Sequence, residues 1–265
     1  MTRLAGLVVL MCCIATGVQS PASDYDAVAI GVRYNPDPDP VRRRTDLENM
    51  RRMRFDVVAL PMEGAAAAEL KAMGHGVPPF QVVRIDRLLA DEANASLKVA
   101  SSTIGVVAVS PQTTPGSVRE GAWTKFAAGA RGVIFDDWAS LQQNADAFTE
   151  ASAFSEAITR NMALYAPLRH VEPTGARAIA LKGGQDSVET HWLESADALL
   201  LIAVNRAAES RHVTFTFPPD VPEAVWQNML SGASVNFVAG PTGPFYEHTL
   251  PAHDVMVLMI RKRWK

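Results

Sequence analysis

The sequence has almost no cysteine. Its only two, Cys12 and Cys13, lie in an apolar run near the amino terminus, and we expect both to be removed with a secretory signal peptide. A mature chain without cysteine has no disulfide, no thiolate metal site and no cysteine nucleophile. The six histidines are scattered along the chain, without the spacing of a metal-binding motif. We therefore expect neither a metal ion nor a cofactor.

A strong excess of charge is also missing. The net charge is −3. The sequence has no basic strip interleaved with aromatic residues, so we expect no nucleic-acid partner. One group of arginines, within residues 42–54, shares its segment with Asp46 and Glu48, which favours a solvent-exposed helix face. The Gly-x-Ser-x-Gly elbow, a phosphate-binding glycine loop and a paired-histidine helix are absent. The aspartate and glutamate side chains therefore remain the candidate catalytic residues.

The amino terminus has the pattern of a signal peptide. Arg3 precedes an apolar run over residues 4–14 that is too short to cross a bilayer as a stable helix. Small and polar residues follow up to residue 23, as is typical of secretory signals. We expect residues 1–23 to be removed, the mature chain to be periplasmic or extracellular, and no transmembrane span to remain.

Two different patterns follow. Over residues 24–172 apolar strand-like runs alternate with helical patterns, which predicts a parallel sheet with helices packed on it. Over residues 173–265 short strands are separated by turn residues, which predicts an all-β sandwich. The boundary is predicted at residues 171–175. Predicted strands are 27–34, 55–60, 80–85, 104–109, 132–135, 176–181, 188–192, 198–205, 212–217, 224–229 and 255–260, and predicted helices are 41–54, 65–73, 117–128 and 145–165.

The most informative stretch is residues 122–138. It reads as a helix, a glycine turn and a short apolar strand that ends on Asp136, Asp137 and Trp138. In parallel α/β proteins the reacting groups lie where strands end, and two carboxylates beside an aromatic ring suit a carbohydrate site. The alternative is a buried strand followed by a helix-capping acid, because aspartate is a preferred N-cap residue.

Several segments resemble family 42 β-galactosidases. Residues 31–36 and 46–60 resemble that family's first strand, helix and second strand, and residues 114–138 are similar to its seventh helix and eighth strand. Within residues 191–232 four short segments resemble the small β-sandwich that closes such enzymes. The resemblance implies a (β/α)₈-barrel glycoside hydrolase with a carbohydrate ligand, and it places Trp138 in the floor of the sugar site.

The sequence departs from that family at its catalytic positions. A full barrel takes about 250 residues, whereas the five strands predicted here lie within residues 27–135. The family's acid/base glutamate belongs to an Asn-Glu pair, and no such pair occurs in residues 27–138. Its nucleophilic glutamate ends the seventh strand, where this chain has Ser110, Pro111 and Gln112. We therefore expect a reduced, incomplete TIM-barrel-like sheet without either catalytic glutamate.

The remaining acids offer a substitute pair. Glycoside hydrolysis needs two carboxyl groups about 5–5.5 Å apart for retention or about 6.5–9.5 Å apart for inversion. Asp136 or Asp137 is the first predicted partner, and Glu63 or Asp37 is the second; the alternative is that all are ordinary loop acids and caps. The predicted substrate-binding residues are Trp138, Tyr34, Asn35 and Asp37.

These observations predict an exported, glycoside-hydrolase-like protein that acts on or recognises a carbohydrate. The first alternative is a non-catalytic carbohydrate-binding or assembly protein that kept the scaffold and lost the chemistry. A further possibility is that the open edges of the reduced sheet are covered by a second copy or by another subunit, because unpaired strand edges are prone to pair with another chain.

Overall fold

The structure is a computed structural model that describes residues 28–61, 68, 70, 81–84, 104–172, 178–219, 221 and 225–262. The elements of the first part are β1 (Ala29–Arg33), α1 (Pro40–Arg52), β2 (Val57–Leu60), β3 (Gln81–Arg84), β4 (Ile104–Val107), α2 (Pro115–Ala127), β5 (Gly132–Phe135), α3 (Trp138–Gln143), α4 (Ala145–Arg160) and α5 (Met162–Tyr165). The strands of the second part are β6 (Arg169–Val171), β7 (Ala180–Lys182), β8 (Val188–Glu194), β9 (Ala198–Asn205), β10 (Arg211–Thr216), β11 (Trp226–Asn228), β12 (Ser234–Val235), β13 (Phe245–Leu250) and β14 (Val255–Arg261).

Helices α1, α2 and α4 each begin at a polar capping residue. The side chains of Asp39, Thr114 and Asn144 accept hydrogen bonds from amides in the first turns of α1, α2 and α4. These bonds satisfy amide donors that have no partner within the helix. Pro40 and Pro115 occupy the first helical positions, where proline has no hydrogen bond to lose. The capping side chains and the prolines, rather than the apolar pattern, therefore determine where these helices begin.

The first part contains a five-stranded sheet in the order β3-β2-β1-β5-β4. All four pairings are parallel. In a closed (β/α) barrel the last strand pairs with the first, as β5 does here with β1. Within the described residues β3 and β4 do not pair with each other, and no closed barrel is found. The parallel sheet expected from the sequence is confirmed, with five strands among the described residues.

The two faces of this sheet differ in what they contact. Ile30 and Val32 of β1 pack in a large core together with residues of α1 and α2. Ala29 and Val57 belong to a separate, small cluster on the opposite face, which we call the inner face. A Cβ atom on Gly31 would lie 2.3 Å from the carbonyl oxygen of Val57. Only glycine permits this approach of β1 to β2 on the inner face.

The second part consists of two antiparallel sheets. One has six strands in the order β12-β11-β14-β9-β8-β6, and the other has three in the order β13-β10-β7. Trp192, Phe217 and Trp226 fill the core between them, with ring centroids about 6 Å apart. The antiparallel sheets expected for residues 173–265 are therefore present.

One core joins the two parts. Every residue of β9 is buried, because one face of the six-stranded sheet packs on α2 and the other on the three-stranded sheet. An ion pair across the same junction joins Arg119 of α2 to Asp254, 2.5 Å away, and Arg119 also pairs with Glu150 of α4. These charge-assisted contacts raise the pKa of Arg119.

Several elements differ from the sequence-based expectation. The helix predicted over residues 145–165 is divided into α4 and α5 at Asn161, and α3, β12 and β13 were not expected. Strand β6 was not expected either, and it pairs with β8 although it precedes the predicted boundary at residues 171–175. The two-domain division stays a prediction.

The signal peptide at residues 1–23 and most of the helix predicted at 65–73 lie outside the described residues. In the part of the chain that is described, no helix is both long and apolar enough to span a membrane.

Candidate functional site

The carboxyl ends of β1, β5 and β4 meet at one edge of the parallel sheet. Val32 of β1 and Val107 of β4 both pair with Phe135 of β5. The residues that follow, including Arg33 and Asp136, therefore lie side by side. Loops beyond the carboxyl ends of parallel strands form the usual ligand-binding face of such sheets. We call this region the carboxyl edge and treat it as the candidate site.

Asp136 ties the ends of two strands together. Its amide donates to the carbonyl oxygen of Val107 over 3.0 Å. Its Oδ1 atom accepts a hydrogen bond from the amide of Val109 over 2.6 Å. Within the described part of the chain, its Oδ2 atom accepts no hydrogen bond. One carboxylate oxygen thus serves the loop after β4, and the other is available to a ligand.

Asp137 caps helix α3. Its Oδ1 atom accepts from the amide of Ala139 and its Oδ2 atom from the amide of Ser140, each over 3.2 Å. The hydroxyl of Ser140 donates to the same Oδ2 atom over 2.5 Å. This arrangement is the helix-capping alternative that the sequence left open for the acids. Both oxygens of Asp137 are occupied by the start of its own helix.

Trp138 lies in the core rather than at the surface. It is 2% exposed, and its ring packs against Phe55 at a centroid distance of 6.4 Å and against Phe148 at 6.0 Å. A sugar-stacking platform needs an open ring face, which this placement does not offer. The side chain turns inward because it is the first residue of α3 and that helix packs on α4.

Tyr34 is likewise buried, with 2% exposure. Its hydroxyl donates to Oδ2 of Asp46 over 2.9 Å, while the side-chain amide of Gln142 donates to Oδ1 of Asp46 over 2.7 Å. Burial and the hydrogen bond to Asp46 raise the pKa of Tyr34. The phenol therefore holds the end of β1, α1 and α3 together, and it positions the carboxyl edge rather than facing a ligand.

Asp37 orders the loop between β1 and α1. Its Oδ1 atom accepts from the amide of Asp39 over 2.8 Å, and its Oδ2 atom lies 3.7 Å from a guanidinium nitrogen of Arg42. Glu63, the other predicted carboxyl partner, lies outside the described residues. The pairing of Asp136 or Asp137 with Glu63 or Asp37 in catalysis stays a prediction.

Arg33 and Asn35 are among the exposed side chains at the carboxyl edge, and the sequence reasoning missed Arg33. Arg33 and Asn35 follow the buried part of β1. Among the described residues, neither side chain has a hydrogen-bond or ion-pair partner. Asn35 was a predicted substrate-binding residue, whereas Arg33 was not. The signal for Arg33 is the period of two in β1, because alternation places it on the inner face with Ala29 and Gly31.

Metal ligands do not accumulate at this edge. Across the residues that the structure describes, no group of three or more histidine, cysteine, aspartate or glutamate side chains could hold a metal ion. Among the residues that the structure describes at this edge, the polar groups open to a ligand include the Arg33 guanidinium, the Asn35 amide and Oδ2 of Asp136. Together they offer hydrogen-bond donors and one acceptor on neighbouring strands.

No family model matches the chain, and no curated protein matches its sequence. Similar solved structures include a family 30 endoxylanase from Clostridium papyrosolvens, at 10% identity and a TM-score of 0.37, covering 88% of this chain and 56% of the xylanase. An α-amylase from Geobacillus thermoleovorans has 10% identity and a TM-score of 0.44, covering 85% of this chain and 65% of the amylase. The family 42 β-galactosidase Gan42B from G. stearothermophilus has 14% identity and a TM-score of 0.23, and the match covers 44% of this chain and 13% of the galactosidase.

These similar structures are glycoside hydrolases of several families, and family 42 is not singled out among them. The chain spans between about half and two thirds of the length of the xylanase and the amylase. All three TM-scores are below 0.5, so neither activity nor substrate follows from these similarities.

Proposed function

We propose that the protein recognises a carbohydrate at the carboxyl edge of its parallel sheet and does not hydrolyse it. The observation that carries this proposal is the engagement of the acids at that edge. Asp136, Asp137 and Asp37 each accept a hydrogen bond from a backbone amide close by. Each acid that the sequence offered there, apart from Glu63, has a structural task.

That engagement is a poor basis for glycoside hydrolysis. One carboxyl group of the catalytic pair must be protonated before reaction, and the other must approach the anomeric carbon or a water molecule. A carboxylate that accepts amide hydrogen bonds does so best when it is ionised, and its oxygens are held against the backbone. Asp137, with both oxygens bonded within its own helix cap, is the least suited of the three.

Three features support a carbohydrate as the ligand. In the described part of the parallel sheet β5 pairs with β1, as the last strand of a (β/α) barrel pairs with the first, and antiparallel sheets follow. The segments around it resemble family 42 β-galactosidases. Arg33, Asn35 and Oδ2 of Asp136 present the donors and the acceptor that sugar hydroxyls require.

Hydrolysis is the second candidate, and one observation favours it. Oδ2 of Asp136 accepts no hydrogen bond within the described residues, so this oxygen is open to a substrate. In that case Asp136 is one carboxyl partner and Asp37 or Glu63 is the other. The two candidates make opposite predictions for turnover.

Turnover is tested with the purified mature chain and chromogenic β-galactosides, β-xylosides and α-glucosides. We expect no release of chromophore above a heat-inactivated sample. Turnover by the parent that is lost in Asp136→Asn and kept in Asp137→Asn would establish the hydrolase instead. Equal turnover in the parent and both variants would remove these acids from any mechanism.

Recognition is tested by glycan-array binding followed by titration calorimetry with the oligosaccharides that bind. We expect saturable binding that weakens in Asn35→Ala. The matched control is Asn236→Ala, which removes another exposed asparagine in the antiparallel part. Absence of binding by the parent to every glycan would contradict the proposal.

Export and assembly are further proposals. We propose export from the signal-like residues 1–23, and we propose that a second copy or another subunit covers the outer strands β3 and β4, which are edges of the parallel sheet within the described residues. Size in solution tests the second point. A monomer at all concentrations would contradict self-association.

A further inference from the structure

Arg33 occupies a central place in the candidate site. It is the last residue of β1, the middle strand of the five in the parallel sheet. The four residues before it are buried, and Arg33 itself is exposed. Burial therefore ends at this side chain, on the inner face and at the edge where parallel sheets bind their ligands.

The Arg33 guanidinium forms no ion pair with any residue that the structure describes. Asp136, the residue after β5, lies next to Arg33 in register, yet the two side chains form no ion pair, and no other described acid pairs with Arg33. The arginines of α1 that lie beside the carboxyl edge behave differently, since Arg42 contacts Asp37 and Asp39. Arg33 thus keeps its charge available at the site.

We propose that the ligand at this site is an anionic sugar, and that Arg33 binds its carboxylate or sulfate group; this rests on the proposed carbohydrate recognition. A guanidinium presents paired donors whose geometry matches a carboxylate or sulfate, and charge-assisted bonds are stronger than neutral ones. A neutral sugar offers hydroxyl and ether oxygens, which accept weaker hydrogen bonds from a guanidinium than an anionic group does.

The neighbouring groups fit the rest of such a ligand. Asn35 follows Arg33 by two residues and is exposed, with its amide free of partners in the described residues. The open Oδ2 atom of Asp136 is able to accept a bond from a ring hydroxyl, while Oδ1 stays on the amide of Val109. In this arrangement Arg33 binds the anionic group of the ligand, and Asn35 and Asp136 bind its neutral groups.

The test is titration calorimetry of the mature chain with three oligosaccharides of equal length: oligogalacturonate, sulfated oligogalactan and neutral oligogalactan. The variants are Arg33→Gln and, as a control, Arg52→Gln, which removes an exposed arginine from the last turn of α1. We expect the parent to bind an anionic oligosaccharide about tenfold or more tightly than the neutral one. Arg33→Gln should lose this preference, and Arg52→Gln should keep it.

The outcomes separate this inference from the function on which it rests. Tighter binding of galacturonate than of sulfated galactan, or the reverse, identifies which anionic group the site takes. Equal affinity for neutral and anionic sugars, or a preference that survives Arg33→Gln, would overturn the anionic ligand and leave carbohydrate recognition standing. Absence of binding to all three, and to every glycan on the array, would overturn both.

Discussion

The amide nitrogen of Val109 lies 2.6 Å from Oδ1 of Asp136. This bond fastens the loop after β4 to the end of β5, and it is reinforced by the bond from the Asp136 amide to Val107. The acid that most resembles a catalytic partner in the sequence is therefore a structural tie between two strand ends. We therefore expect loss of the Asp136 side chain to lower the free energy of unfolding.

We predict that Asp136→Ala lowers the free energy of unfolding by about 1–2 kcal/mol, because the Val109 amide loses its acceptor in a partly buried place. Asp136→Asn keeps an acceptor oxygen and should stay within about 0.5 kcal/mol of the parent. Urea unfolding followed by circular dichroism measures both. Equal stability of Asp136→Ala and the parent would show that the tie contributes nothing.

A separate effect is expected at the cap of α3. Asp137→Ala removes the acceptor of the Ala139 and Ser140 amides and should cost about 1 kcal/mol. Asp137→Ser restores a capping side chain and should recover most of that loss. Glycan affinity should change in neither variant. A loss of affinity with unchanged stability would instead assign Asp137 to the ligand.

Trp138 distinguishes core packing from sugar stacking. Trp138→Phe keeps a ring against Phe55 and Phe148 but leaves a small void, and we expect a loss of about 1–2 kcal/mol in stability. Affinity for the bound glycan should remain within about twofold of the parent, a difference of less than about 0.5 kcal/mol. If Trp138 is a platform, affinity falls and stability holds, and the predicted substrate-binding role is restored.

Asp56 makes stability depend on pH. It lies at the amino edge of the sheet, where Oδ2 accepts from the amide of Ile30 over 3.3 Å, and burial raises the pKa of Asp56 from 3.8 to about 6. Between these values the folded chain binds more protons than the unfolded chain, so this group's contribution to stability is present at low pH and is lost as pH rises through about 6.

Asp56→Asn removes that titration. Relative to the parent, its free energy of unfolding should rise by about 2 kcal/mol between pH 4 and pH 7, since each pKa unit corresponds to about 1.4 kcal/mol. Urea unfolding at several pH values measures this difference. A constant difference across that range would mean that Asp56 titrates alike in the folded and unfolded chains.

The sequence was most informative about apolar strands. The bounds 132–135 and 198–205 were predicted as the structure has them, because each is an apolar run between turn residues. Strand β13 was not predicted because Glu247, His248 and Thr249 interrupt its apolar pattern. Its partner β10 is also distant in sequence, since His248 pairs with Val213. The break at Asn161 was hidden by the continuous helical pattern on both sides of it.

The candidate site was less accessible to sequence reasoning. The residue types at the ends of β1 and β5 indicated where a ligand would bind, but not which side chains the fold would use for itself. Whether Asp137 caps a helix depends on whether α3 begins at the next residue, and its six residues are too few for a clear pattern. The exposure of Arg33 depends on which face of β1 the helices cover, which is a tertiary property.

Recognition without hydrolysis requires that a bound oligosaccharide is recovered unchanged, which titration of the mature chain followed by mass determination of the recovered ligand measures. We expect saturable binding at the carboxyl edge, weakened by Arg33→Gln, with the oligosaccharide recovered intact after prolonged incubation. Shorter products released by the parent, but not by Asp136→Asn, would contradict it.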